Sequence, residues 1–107
     1  MEKLTPEQYR LFYDLYVFTK ASKFFIPSDS WCYSSIISTL ARDVFGFKVI
    51  TGVFEDGNVF REHVWNESLD GKIIDLSLDK YSQNYCCPYI SGLMEEDFDC
   101  FYKKYGL

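Results

Sequence analysis

Glu62-His63-Val64-Trp65-Asn66-Glu67-Ser68-Leu69-Asp70-Gly71-Lys72-Ile73-Ile74-Asp75-Leu76-Ser77 reads as two extended segments folded back on each other at Leu69-Asp70-Gly71. Glycine in the third loop position supplies the left-handed conformation that closes a three-residue hairpin loop. Loop length then sets the register. With three loop residues Ser68 pairs with Lys72, His63 falls opposite Ser77 and Trp65 opposite Asp75, so His63 and Asp75 become diagonal neighbours on one face. A two-residue loop would shift the parity by one and send them to opposite faces. Asp75 stands between Ile74 and Leu76, and an acid among strand-core residues needs a partner. His63 is the only histidine in the chain.

Upstream, Phe47, Val49, Thr51 and Val53 alternate with Ile50 and Phe54, the period of a strand. Glu55-Asp56-Gly57 has the form of a second three-residue loop, from which Val59 to Glu67 returns, giving a three-stranded antiparallel meander. Before it, Pro27-Ser28-Asp29-Ser30 supplies turn and cap residues. Ile36, Ile37, Leu40, Ala41 and Val44 mark the buried face of a helix that Gly46 ends. Cys32 lies in its first turn, in Ser30-Trp31-Cys32-Tyr33-Ser34-Ser35.

At the N-terminus Thr5, Pro6 and Gln8 read as N-cap, first helical residue and capping-box partner. The stripe of Tyr9, Phe12, Tyr13, Tyr16 and Val17 predicts a helix packed on the core to about Thr19. Downstream, Lys80 to Tyr85 is polar and aromatic, Pro88 and Gly92 bound an irregular piece, and no element is assigned there. Met94 to Tyr105 reads as a C-terminal helix covering the sheet, with Glu95, Glu96 and Asp97 in its first turn and Lys103 and Lys104 in its last.

Cys32, His63 and Asp75 thus fall on three successive elements, in the order of a thiol nucleophile, its base and the group that orients the base. A cysteine attacks carbonyls as thiolate, and the unpaired N–H groups of a helix N-terminus, together with an imidazolium, favour that form. The backbone N–H of Cys32 would help hold an oxyanion. Trp31, Tyr33, Trp65 and Tyr13 are candidates for the second donor or for substrate contacts, with core or cleft wall as the plainer reading of Trp65. Taken singly, each of the three has a plainer reading: Cys32 as a buried helix residue, His63 as a satisfied strand histidine, Asp75 as its partner.

A helix-opening cysteine, a glycine-bounded strand, His-hydrophobic-Trp, and an aspartate followed by a small hydroxyl residue at Leu76-Ser77 together resemble the transglutaminase-like branch of the papain-like cysteine enzymes. The resemblance covers about residues 30 to 80. It implies an α+β core with the Cys32 helix packed on an antiparallel sheet that carries His63 and Asp75. It also implies acyl transfer from a peptide or protein amide through a Cys32 thioester, without a cofactor. Hydrolysis, by a peptidase or deamidase, is favoured over cross-linking, because water needs no second binding site and the chain has little room for one. Full-length transglutaminases bind calcium, and no EF-hand-like ligand run is present. The alternative is a binding or adaptor module of the same fold with an idle triad, acting in a larger complex whose partner supplies recognition surface.

With 107 residues, 48% of them apolar and 20% aromatic, the chain 1–107 is expected to form a single domain. A net charge of −5 repels phosphate backbones and anionic lipid, which argues against nucleic acid as a partner. No apolar run is long enough to span a membrane and the first residues lack a secretory core, so a cytoplasmic protein is expected. The four cysteines lack C-x-x-C spacing, and one histidine is too few for a patterned zinc site, so no metal is expected. Cys86, Cys87 and Cys100 are expected to be reduced, buried small hydrophobes.

Overall fold

The computed structural model describes residues 5–22, 30–58, 60–78, 89–93 and 97–106, with the backbone alone at 30–32. Among these residues the architecture is α+β, with two helices and one five-stranded antiparallel sheet. Helix α1 spans Pro6–Ser22 and α2 Ser30–Phe45. The strands are β1 (Lys48–Glu55), β2 (Phe60–Glu67), β3 (Ile73–Asp75), β4 (Tyr89–Ile90) and β5 (Tyr102–Lys104), in the order β4-β3-β2-β1-β5.

The capping box forms as its residues dictate: Thr5 N–H donates to Gln8 Oε1 at 2.9 Å and Gln8 N–H to Thr5 Oγ1 at 3.2 Å. The helix it starts, however, turns a different face inward. Leu15, Thr19 and Ser22 are buried, with Leu11, Phe12 and Phe18 packed against the core, whereas Tyr9, Tyr13 and Val17 are exposed. Thr19 is accommodated because its hydroxyl bonds Leu15 O at 2.8 Å. Helix α2 shows the same offset. Tyr33, Ser34, Ile37, Ser38 and Ala41 face inward, while Ile36, Leu40 and Val44 of the expected face are exposed. In both helices hydroxyl residues occupy part of the buried stripe, so hydrophobicity alone sets the face off by part of a turn, with Phe12, Ile37 and Ala41 of the expected faces on the core and the rest of those faces turned outward or half-buried. Gly46, at φ +78°, ends α2 with its N–H on Arg42 O at 2.9 Å.

The second hairpin has the predicted register. Asn66 pairs with Ile74 and Glu67 with Ile73, Ser68 N–H bonds Lys72 O at 2.9 Å, and Gly71 takes φ +86°. The first hairpin differs. Glu55 pairs with Phe60, so four residues rather than three lie between them, and Asp56 Oδ1 accepts the Asn58 N–H at 2.9 Å in a local turn that the three-residue reading leaves out.

Strand alternation sorts the core. His63, Trp65, Asp75, Tyr89, Phe54 and Tyr102 share one face by register, and Asn66, Ile74 and Ile90 the other. The helices contribute Leu15, Tyr33, Ile37 and Ala41 to a cluster with Ile74, Leu76 and Ile90. An aromatic cluster of Phe54, Trp65, Tyr89 and Tyr102, with Leu78, forms on the other face. Buried Asn66 ties the layers together, its Nδ2 donating to Ser38 O of α2 at 3.0 Å and to Lys48 O at 3.2 Å.

The expected C-terminal helix is absent from residues 97–106, while Met94–Glu96 lie outside the described residues. A 3-10 turn at Asp99–Phe101 leads instead into β5, which pairs with β1 through Gly52↔Lys104 and Phe54↔Tyr102. The acidic-then-basic charge pattern fits a helix dipole, but a sheet edge competed for the segment. Gly52 is what lets that strand approach, since a Cβ there would stand 2.2 Å from Lys103 O and 2.7 Å from the Trp65 ring. Tyr102 then buries its ring against Trp65 and Phe54, with centroids 5.0 and 5.2 Å away.

Candidate functional site

Asp75 is the last residue of β3, and its carboxylate is saturated with donors. Oδ2 accepts from His63 Nε2 at 2.7 Å and from the Tyr102 hydroxyl at 2.7 Å. Oδ1 accepts from the Ser77 N–H at 2.9 Å and the Ser77 hydroxyl at 3.1 Å. The Ser77 contacts are local, an aspartate bonding the backbone two residues on as the chain turns out of the strand. The His63 contact is the diagonal pair fixed by the Leu69-Asp70-Gly71 loop.

His63, Asp75, Ser34 and Ser77 are all fully buried, at 0% exposure. Burial on its own would raise the Asp75 carboxyl, but the His63 ring, the Tyr102 hydroxyl and the Ser77 N–H outweigh it and hold the carboxyl below the ordinary carboxylate value. Burial, then the neighbouring Asp75, push the Tyr102 phenol well above its ordinary value. Aromatic rings enclose the imidazole: Trp65 at 5.9 Å, Phe54 at 6.2 Å and Tyr102 at 6.3 Å between centroids.

The other imidazole nitrogen, Nδ1, faces α2, where Ser34 Oγ lies 3.2 Å away and itself contacts Ser77 Oγ at 3.0 Å. Cys32 lies in the first turn of α2, two residues before Ser34. Its side chain and that of Trp31 lie outside what the structure describes. Tyr33 is a core residue at 1% exposure, packed with Leu15, Ile37 and Ile74. Trp65 forms a wall of the site. Tyr13 is on the exposed face of α1, in a surface depression lined by Pro6, Tyr9, Arg10 and Asp14, all residues of α1.

Three site residues escape the sequence reading. Ser34 appears there only within the stretch around Cys32 and is given no role, although its spacing from Ile37, Ser38 and Ala41 is that of one helical face. Ser77 figures as the residue opposite His63 and as the small hydroxyl residue after the aspartate, without a hydrogen-bonding role. Tyr102 falls inside the expected helix. Cys86 and Cys87 lie outside the described residues, and Cys100 is exposed rather than buried, because the 3-10 turn presents it to solvent. Among the described residues, no three of His, Cys, Asp and Glu are grouped to hold a metal ion, and no helix is long and apolar enough to cross a membrane.

No protein-family model, curated protein or solved structure matches the chain.

Proposed function

We propose that the chain is a cysteine-dependent acyl-transfer enzyme with a transglutaminase-like, papain-like core, acting on peptide or protein amides through a Cys32 thioester. One observation carries this reading. The only histidine in the chain is fixed through Nε2 to a fully buried carboxylate, and turns Nδ1 toward the helix whose first turn holds the cysteine. The Nε2 bond sets ring orientation and leaves Nδ1 as the nitrogen that exchanges a proton with the thiol. Asp75 stays ionised and stabilises the imidazolium that results, while Tyr102 and Ser77 hold its two oxygens.

In this mechanism Cys32 attacks as thiolate, the α2 N-terminus stabilising both that charge and the oxyanion of the tetrahedral intermediate. His63 returns the proton to the leaving amine, and water resolves the thioester, which makes the enzyme a peptidase or deamidase. A cytoplasmic setting keeps the thiol reduced.

Hydroxylamine tests the proposal, because it captures thioesters as hydroxamates. Incubation with peptides bearing glutamine or C-terminal amides is expected to yield hydroxamate with the wild-type chain and none with Cys32→Ala. Equal yields from both would refute the assignment of Cys32.

The complete burial of His63 and Asp75, with Ser34 at Nδ1, favours one further reading. Here the network is a core device in a catalytically idle adaptor, and the exposed Tyr9, Tyr13 and Val17 of α1 and Ile36, Leu40 and Val44 of α2 meet a protein partner. A complete absence of hydroxamate, together with a Cys32 inert to alkylation at pH 6, selects that reading.

A further inference from the structure

Leu15, Thr19 and Ser22 turn one face of α1 to the core, and the opposite face stands open. Tyr9, Tyr13 and Val17 form a row along it at four-residue spacing, 65%, 56% and 46% exposed. Depressions flank the row on both sides. Among the described residues, Pro6, Arg10 and Asp14 line one of them with the two tyrosines, and Phe12 and Tyr16 line the other with the same tyrosines. A ridge of i, i+4 side chains between two grooves is the surface that packs on another helix, the ridge of each entering a groove of the other. Tyrosine suits a contact that forms from water, since its ring is apolar, its tip is polar and it has few rotamers to freeze.

The charges beside the ridge select the partner. Arg10 Nε lies 3.3 Å from Asp14 Oδ1 on one flank, and both side chains are open to solvent, at 79% and 43%. The other flank, with Phe12 and Tyr16, is aromatic. A second copy of the chain can meet this face about a two-fold axis in two ways. With the helices parallel, each flank lies against the opposite flank of the other copy, so Arg10 and Asp14 are set on aromatic rings and gain no ionic partner. With the helices antiparallel, like flanks adjoin. Tyr13 then meets Tyr13 of the second copy at the axis, Tyr9 approaches Val17, and Arg10 comes within about 3 Å, measured along the helix, of the level of Asp14 in the other copy. The pairing occurs twice, once from each side, as a self-complementary contact requires.

We propose that the Tyr9, Tyr13 and Val17 face of α1 binds a second copy of this chain, antiparallel about a two-fold axis at Tyr13, with Arg10 and Asp14 pairing between the copies. The contact is independent of the chemistry at Cys32 and holds for either reading of the buried site. One helix face is at the small end of specific interfaces, under about 1,200 Å² in total, so the dimer is weak and reversible.

Sedimentation equilibrium on the full chain tests this at physiological salt, where repulsion between copies of net charge −5 is screened. Wild type is expected to pass from monomer to dimer over micromolar to millimolar concentrations. Tyr13→Ala is expected to weaken the association by about tenfold or more, as loss of a central aromatic anchor does. Arg10→Asp and Asp14→Arg each set like charges against each other and are expected to weaken it by about tenfold. Mixed in equal amounts, these two variants are expected to associate at least as tightly as wild type, because one copy then carries two acids and the other two bases. Both substitutions are at exposed positions, and wild-type far-UV circular dichroism identifies the variants as folded. A wild-type chain that stays monomeric at millimolar concentration overturns the proposal and assigns the face to a different protein. A dimer indifferent to Tyr13→Ala also overturns it, and so do charge variants that fail to recover on mixing, since the copies then meet elsewhere or in the parallel arrangement.

Discussion

At the scale of single residues, Asp75 anchors the site. Four donors converge on it from β2, β5 and the turn after β3, so exchanging one oxygen for an amide removes the charge they surround and forces at least one of them to reverse its hydrogen bond or lose it. Asp75→Asn is expected to cost on the order of 3 kcal/mol in unfolding free energy by denaturant titration, the scale of breaking a buried charged pair. It is also expected to slow turnover, and unchanged turnover would move the orienting role to another residue. Tyr102→Phe removes one donor yet leaves the His63 bond, so it should cost about 1 kcal/mol, with a smaller effect on rate. The pairing of His63 with Asp75 was legible because strand parity is set by loop length, and a glycine placed third fixes that length. Tyr102 was illegible for the opposite reason. Its partner on β1 is some fifty residues away, and local charge order spoke for a helix.

At the scale of elements, termini and turns were easier to read than faces. Thr5, Gln8, Gly46 and Gly71 act through bonds to near neighbours, and each is found where local chemistry puts it. Thr5→Ala should accordingly cost about 1 kcal/mol by the loss of an N-cap, measured as a shift in the denaturation midpoint. The helical faces depend on the partner surface instead. On α1 and α2 the buried stripes include Thr19, Ser22, Ser34 and Ser38, which count as polar in any hydrophobic pattern. Strand β5 depends on a residue far from itself. Gly52→Ala would drive a methyl group into Lys103 O and the Trp65 ring, so it is expected to cost about 2–3 kcal/mol, as overpacking does, and to speed amide exchange along β5. Protection of β5 amides that survived the substitution would show that the sheet edge is looser than described.

For the molecule as a whole, the site gives folding a pH dependence with two limbs. Asp75 titrates lower in the folded chain than in the unfolded one, so its contribution is present above the ordinary carboxylate range and is lost as pH falls through the folded value. Tyr102 titrates higher when folded, so its contribution is complete below the ordinary phenol value and is lost as pH rises through the folded value. Thermal melts should therefore show stability falling away below about pH 4 and above about pH 10, the unfolded-state values of the two groups. Asp75→Asn is expected to blunt the acid limb and Tyr102→Phe the alkaline one.

The most direct test of the account is the rate at which iodoacetamide alkylates Cys32 across pH 5 to 9, followed by peptide mass spectrometry so that exposed Cys100 is scored separately. Roughly a third of one per cent of an ordinary thiol is thiolate at pH 6. An activated Cys32 is expected to react at a rate already near its plateau at that pH, falling toward that of an ordinary thiol in His63→Ala. A Cys32 rate that rises only above pH 8, and is the same with and without His63, would contradict it.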